Sequence, residues 1–103
     1  MLNITAHGRL GRDPELKTIG DDQVARFSIG CNTSKEETTW VNCTVWGRRS
    51  DVVMRFLTKG AAVTIAGRGK LSTYTKKDGT QGTTLEVSVS DFTLPPREDK
   101  EPF

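Results

Sequence analysis

Apolar residues in this chain recur mostly at every second position, in short clusters broken by turn residues, and this is the signature of half-buried strands. Residues 2–11 form a first strand, interrupted by Gly8 and Gly11, which predict a bulge or sharp bend. Arg12-Asp13-Pro14-Glu15 reads as a turn, Leu16–Ile19 as a short extended piece and Gly20-Asp21-Asp22 as a loop. A second strand covers Val24–Asn32, with Ala25, Phe27, Ile29 and Cys31 on one face and Arg26, Ser28 and Gly30 on the other. After a polar connection, a third strand covers Thr39–Trp46. The period then changes. Val52, Val53, Phe56 and Leu57 make a helical stripe within residues 50–59, with Ser50 as N-cap, Asp51 in the first turn, Lys59 in the last and Gly60 as the stop. Two more strands follow at about 61–75 and 82–94, joined by Lys76-Lys77-Asp78-Gly79, whose Asp-Gly pair suits a hairpin turn. Leu85, Val87 and Val89 are the core face of the last strand. Pro95-Pro96 end the domain, because neither can donate to a sheet.

The order is strand-strand-strand-helix-strand-strand. A five-stranded Greek-key barrel with a helix between strands three and four, the OB-fold, has this order, and so does a helix packed on the end of a plain antiparallel sheet. The expected class is all-β, a small barrel with one helix. At 103 residues the chain suits one domain. Its bounds are residues 1–94, with 95–103 as a short acidic tail.

Composition removes several classes of function. No apolar run approaches the ~20 residues of a membrane helix, and Met1–Thr5 lack the pattern of a secretory signal, so the expected address is the cytoplasm, without membrane association. Cys31, Cys43 and His7 are the only thiols and imidazole. They offer no zinc-ligand spacing, and the cysteines read as small buried hydrophobes. His7 has no catalytic partner in view. The acids are scattered through turns and tail rather than clustered for metal or base work, which argues against a nuclease or other enzyme. No cofactor and no metal are expected. The net charge is +2; residues 95–103 carry two basic and three acidic side chains, leaving 13 basic against 10 acidic in the rest. This mild excess gains meaning only where it is concentrated on one face.

The third strand suggests such a face. Thr39, Val41, Cys43 and Val45 fall on one side; Trp40, Asn42, Thr44 and Trp46 fall on the other. Two tryptophans sharing a polar face fit a dimer interface, burial beneath a loop, or a platform on which nucleic-acid bases stack. Tyr74 tips the balance to the platform. It lies in a long hairpin with Lys70, Lys76 and Lys77; Arg48 and Arg49 follow Trp46, and Arg68 and Lys70 alternate with glycines on the fourth strand. Rings for bases, interleaved with cations for phosphates, are what a single-strand groove requires.

These residues carry a family resemblance. Gly8-Arg9-Leu10-Gly11-Arg12-Asp13-Pro14-Glu15, Val24-Ala25-Arg26-Phe27-Ser28-Ile29, Thr39–Gly47, Leu57-Thr58-Lys59-Gly60 with Val63–Arg68, and Tyr74 with Asp78-Gly79 and Thr83–Val87 resemble, in order, bacterial-type single-stranded DNA-binding proteins. The resemblance spans about residues 4–94. It implies that the aromatic positions Trp40, Trp46 and Tyr74 stack on bases and that Arg48, Lys59 and Lys70 approach the DNA backbone. It also implies a homo-oligomer (dimer or tetramer), no catalysis and no metal, and roles in DNA replication, recombination and repair. Glu98-Asp99-Lys100-Glu101-Pro102-Phe103 resembles the family's acidic tip ending in Pro-Phe, which implies that Glu101, Pro102 and Phe103 dock on replication or repair proteins. The family's long Gly-, Gln- or Pro-rich linker is missing before it, as in a compact viral or mobile-element member. The competing expectation is an OB module that binds RNA or a replication partner, with DNA secondary; no residue here reads for a 2′-hydroxyl.

Overall fold

The computed structural model describes residues 1–32 and 38–93. Six strands and one helix follow in order: β1 (Asn3–Leu10), β2 (Glu15–Ile19), β3 (Asp22–Asn32), β4 (Thr38–Trp46), α1 (Arg49–Phe56), β5 (Ala62–Thr75) and β6 (Gln81–Phe92). They form one sheet in the order β1-β5-β6-β4-β3-β2, and a further β1–β3 pairing closes it. The ring β1-β5-β6-β4-β3 is thus a five-stranded barrel with the helix between β4 and β5, the OB arrangement. Its pairings are antiparallel except β4 with β6, which run parallel. Among the described residues no helix is long and apolar enough to cross a membrane.

β2 continues β1 along the same neighbour. Leu10 pairs with Ile29 and Glu15 with Arg26, so four residues of the kink, 11–14, stand opposite two of β3. The bend expected from the glycines therefore falls at Gly11–Pro14, and Pro14 is buried in it. Gly8 has a different role: a Cβ there would lie 2.4 Å from the Gly30 carbonyl oxygen, so it allows close approach of β1 to β3 where the barrel closes.

The alternation predicted for the strands accounts for the core. Leu10, Ala25, Phe27, Ile29, Val41, Cys43, Val45, Val63, Ile65, Val87 and Val89 are buried together, with Leu85 and Cys31 packed partly against them. Two positions differ. Thr39 is exposed, because it pairs with Cys31 at the rim where the core ends. Val24 is fully buried although it belongs to the outer face of β3, opposite Trp46, outside the central cluster.

The helix is shorter than its apolar stripe suggests. It starts at Arg49 with Arg48 at the N-cap and no side-chain cap. Ser50 is not the cap but is buried inside the first turn, where its hydroxyl donates to the Gly47 carbonyl at 2.6 Å. Gly47, at φ +77°, makes the turn that a capping side chain would otherwise stabilise. Val53 and Leu57, one turn apart, are buried in the core; Val52 is half-buried and Phe56 is half-exposed. Helical hydrogen bonding ends there because Leu57 turns extended. Lys59 therefore lies beyond the helix, and Gly60 donates its N–H to the Leu10 carbonyl at 2.9 Å.

Candidate nucleic-acid interface

The register places four strands side by side with their outward residues in rows. Ser28, Asn42, Glu86 and Lys70 form one row across β3, β4, β6 and β5; Arg26, Thr44, Ser88 and Arg68 form the next. Trp40 and Trp46 bracket these rows on β4, about 20 Å apart along the strand. The side chains between them are polar, and inward neighbours Val41, Cys43 and Val45 are buried. The backbone is paired on both sides over Val41–Thr44, and Trp40 and Trp46 flank that stretch, each paired with β3.

Each of two aromatics rests on glycine. Trp40 is 53% exposed and lies across Gly30, its partner on β3, and Gly11 of the kink. A Cβ at Gly11 would come within 2.7 Å of its Cζ3, and one at Gly30 within 3.1 Å of its Cη2. Tyr74, on β5, lies likewise over Gly82 of β6, where a Cβ would meet its Cζ at 2.5 Å. One ring face is thus supported by backbone. Trp46 closes the far end of β4, 46% exposed, beside buried Val24. A groove of about 300 Å³ crosses the face between the tryptophans, with Arg12, Asp13, Arg26, Ser28, Asn42 and Glu86 in its walls.

The cations divide into groups. Arg68 and Lys70 are exposed on the same face of β5 as Tyr74. Lys76 and Lys77 stand at the exposed hairpin tip, where the Lys76 N–H donates to the Thr80 carbonyl at 2.7 Å and Gly79 takes φ +91°. Asp78 receives the Thr80 N–H and hydroxyl, which hold its carboxyl below the usual range. Lys59 is carried near the kink, because its N–H donates to the Asp13 carboxylate at 2.8 Å. Arg48 is exposed just past Trp46. Arg49 turns to the barrel end: its guanidinium donates to the Ser90 carbonyl and lies 5.4 Å over the Phe92 ring. Glu101, Pro102 and Phe103 lie outside the described residues.

Arg12, Arg26 and Glu86 join the candidate face without having been singled out in the sequence. Period two already put Arg26 on the outer face of β3; Arg12 and Glu86 reach the groove through pairings distant in sequence. Elsewhere, His7 Nδ1 and the Thr64 hydroxyl are hydrogen-bonded at 2.8 Å, away from these rows. Cys31 and Cys43 are free thiols; burial is the main cause that pushes Cys43 up to about 12, with the charge of Cys31 adding to it, and burial also raises Cys31. Neither has the low pKa of a reactive thiolate. Among the described residues no three His, Cys, Asp or Glu side chains gather as a metal site.

Comparison with known proteins gives a consistent picture. The profile of the Single-strand binding protein family matches residues 1–95. Three proteins named single-stranded DNA-binding protein are similar to the chain. The one from Chlamydia trachomatis is 36% identical over 86 residues, 80% of this chain and 55% of the relative. That from Chlamydia caviae is 36% identical over 93 residues, 86% of this chain and 58% of the relative. That from Clostridium perfringens is 30% identical over 96 residues, 89% and 64% respectively. The chain thus spans little more than half the length of the two chlamydial relatives.

Proposed function

The chain belongs to the Single-strand binding protein family, and from that premise we propose that it binds single-stranded DNA with little sequence preference, across the outer face of β3, β4, β6 and β5. The observation that carries this reading is the pair Trp40 and Trp46, about half-exposed on a polar sheet face beside Arg26, Arg68 and Lys70. A base has a π-face whatever its identity, so stacking on these rings and on Tyr74 holds a strand without reading it. Arg48, Lys59, Arg68, Lys70, Lys76 and Lys77 neutralise phosphates at the edges. Duplex is a poor ligand for such a face, because its bases are already stacked on one another. The function is binding and protection rather than catalysis. Family members of this kind act as homo-oligomers, and the acidic stretch with Pro102-Phe103 serves to recruit replication, recombination or repair proteins; loss of captured proteins on Phe103→Ala in a pull-down checks the latter.

The test is a titration of intrinsic tryptophan fluorescence with oligo-dT at two salt concentrations, with light scattering on the same sample. Quenching that saturates and weakens with salt is expected. Emission unchanged at saturating oligo-dT, or equal affinity for duplex of the same length, overturns the reading.

A further inference from the structure

Glu86 is an acid in the middle of a face otherwise suited to phosphate. It is the Cα partner of Asn42 on one side and of Lys70 on the other, it is exposed, and it lines the groove between the tryptophans. A surface that worked by phosphate attraction alone would lose affinity by placing a carboxylate there. In that position the carboxylate can do two things. It drives phosphates towards the edges, leaving bases over the groove, and it accepts hydrogen bonds from those bases.

Asn42 supplies the complementary group. The Ser28 hydroxyl donates to Asn42 Oδ1 at 2.7 Å. With that oxygen engaged, the Nδ2 hydrogens are what Asn42 offers to the groove. The neighbours on β4 and β6 therefore present a donor beside an acceptor. Cytosine and adenine present the match: an exocyclic amine next to an unprotonated ring nitrogen. Thymine meets the same pair with its C4 carbonyl at the Asn42 amide and its N3–H at the carboxylate, but its C2 carbonyl lone pair then faces the carboxylate, a repulsion that the amine of cytosine or adenine does not bring.

We propose that Glu86, with the oriented amide of Asn42, reads the base held in the groove between Trp46 and Trp40 and favours an amine-bearing base over thymine at that one position. Binding elsewhere along the strand stays sequence-tolerant, because it rests on stacking and charge. The inference depends on this face being the single-strand site.

The experiment compares oligo-dC with oligo-dT of equal length at mildly alkaline pH, by fluorescence titration of the full chain. Both are weakly self-stacking pyrimidines, so the change in their affinity ratio on substituting Glu86 reports hydrogen bonding at the base edge. Glu86→Gln, an exposed and near-isosteric change, is expected to tighten oligo-dT and to lower the dC:dT affinity ratio about tenfold, towards the lower end of what a bidentate side chain–base pair contributes. Ser28→Ala, which releases the Asn42 amide, is expected to lower the same ratio by a smaller factor. If Glu86→Gln changes both affinities in the same proportion, the carboxylate is only a cross-strand counter-charge to Lys70 and the inference falls. If the unaltered chain fails to bind either oligomer, the single-strand site itself is wrong, a result distinct from an unchanged ratio.

Discussion

Trp40 and Phe56 are exposed to nearly the same extent, 53% and 50%, yet their surroundings differ. Trp40 stands on a strand and is paired there with Gly30 of β3, its ring lies on Gly30 and Gly11, and it has polar residues beside it on β4. Phe56 is the last residue of a short helix, next to a chain that turns extended at Leu57. Exposure of a large ring does not by itself mark a binding surface, since scattered apolar side chains are ordinary on proteins. A backbone support beneath the ring and cations within reach are what distinguish a base-stacking platform.

The sharpest way to break this contrast is to truncate both rings. Trp40→Ala is expected to weaken oligo-dT binding by ~1–3 kcal/mol, the usual worth of one stacked base. Phe56→Ala is expected to leave binding unchanged and to alter stability by less than ~0.5 kcal/mol, as surface substitutions generally do. Anisotropy titrations paired with thermal melts check both. Equal losses from the two variants would mean that exposure, not support, decides the outcome. If Trp40→Ala unfolds the domain, the ring belongs to the core.

Much of the contrast was legible in the chain itself. Alternation along residues 39–46 separated Val41, Cys43 and Val45 from the two tryptophans, because a strand's period leaves only two faces to choose between. The hairpin turn was legible in Asp78-Gly79, where the positive φ needs a residue such as glycine. The glycine supports were not. Which glycine lies under which ring depends on register, and Trp40 meets Gly11 only after the β1–β2 kink folds over β3. Ser50 misled for a related reason. A serine ahead of an apolar stripe resembles an N-cap, but Gly47 had already made the turn, and the hydroxyl was free to bind the Gly47 carbonyl inside. Likewise Val24 gave no sign that the outer face of β3 is buried at that end.

The support can be tested without touching a ring. Gly82→Val places a branched side chain where the Tyr74 ring now lies, and a Cβ alone would approach its Cζ to 2.5 Å. The tyrosine is free to rotate away, so the fold is expected to survive. Oligo-dT affinity is expected to fall by less than ~1 kcal/mol, below the effect of losing a full stacking partner. Retained far-ultraviolet circular dichroism with weaker binding would separate support from folding. Unchanged affinity would show that Tyr74 stacks equally well from another rotamer and that the glycine beneath it is only a consequence of strand pairing.

The smallest expected effect concerns the arginines, and it separates two uses of the same side chain. Arg68 is exposed on the face, in the row of Arg26, Thr44 and Ser88, with Lys70 between it and Tyr74 along β5. Arg49 is tied down, donating to the Ser90 carbonyl and lying over the Phe92 ring. A cation that displaces counterions from a single strand contributes roughly 0.7 to the slope of log affinity against log salt. Arg68→Ala, and separately Lys70→Ala, are each expected to reduce that slope by about this amount, with little change in melting temperature. Arg49→Ala is expected to do the reverse: its packing over Phe92 and its carbonyl contact fasten the start of α1 to the end of β6, so the melting temperature falls while the salt slope stays. Titrations of oligo-dT over a salt series, run beside melts of the same three variants, resolve the two patterns. An equal loss of slope in Arg49→Ala would mean that this guanidinium leaves Ser90 to meet phosphate. The charged face would then extend from β5 around to the start of the helix.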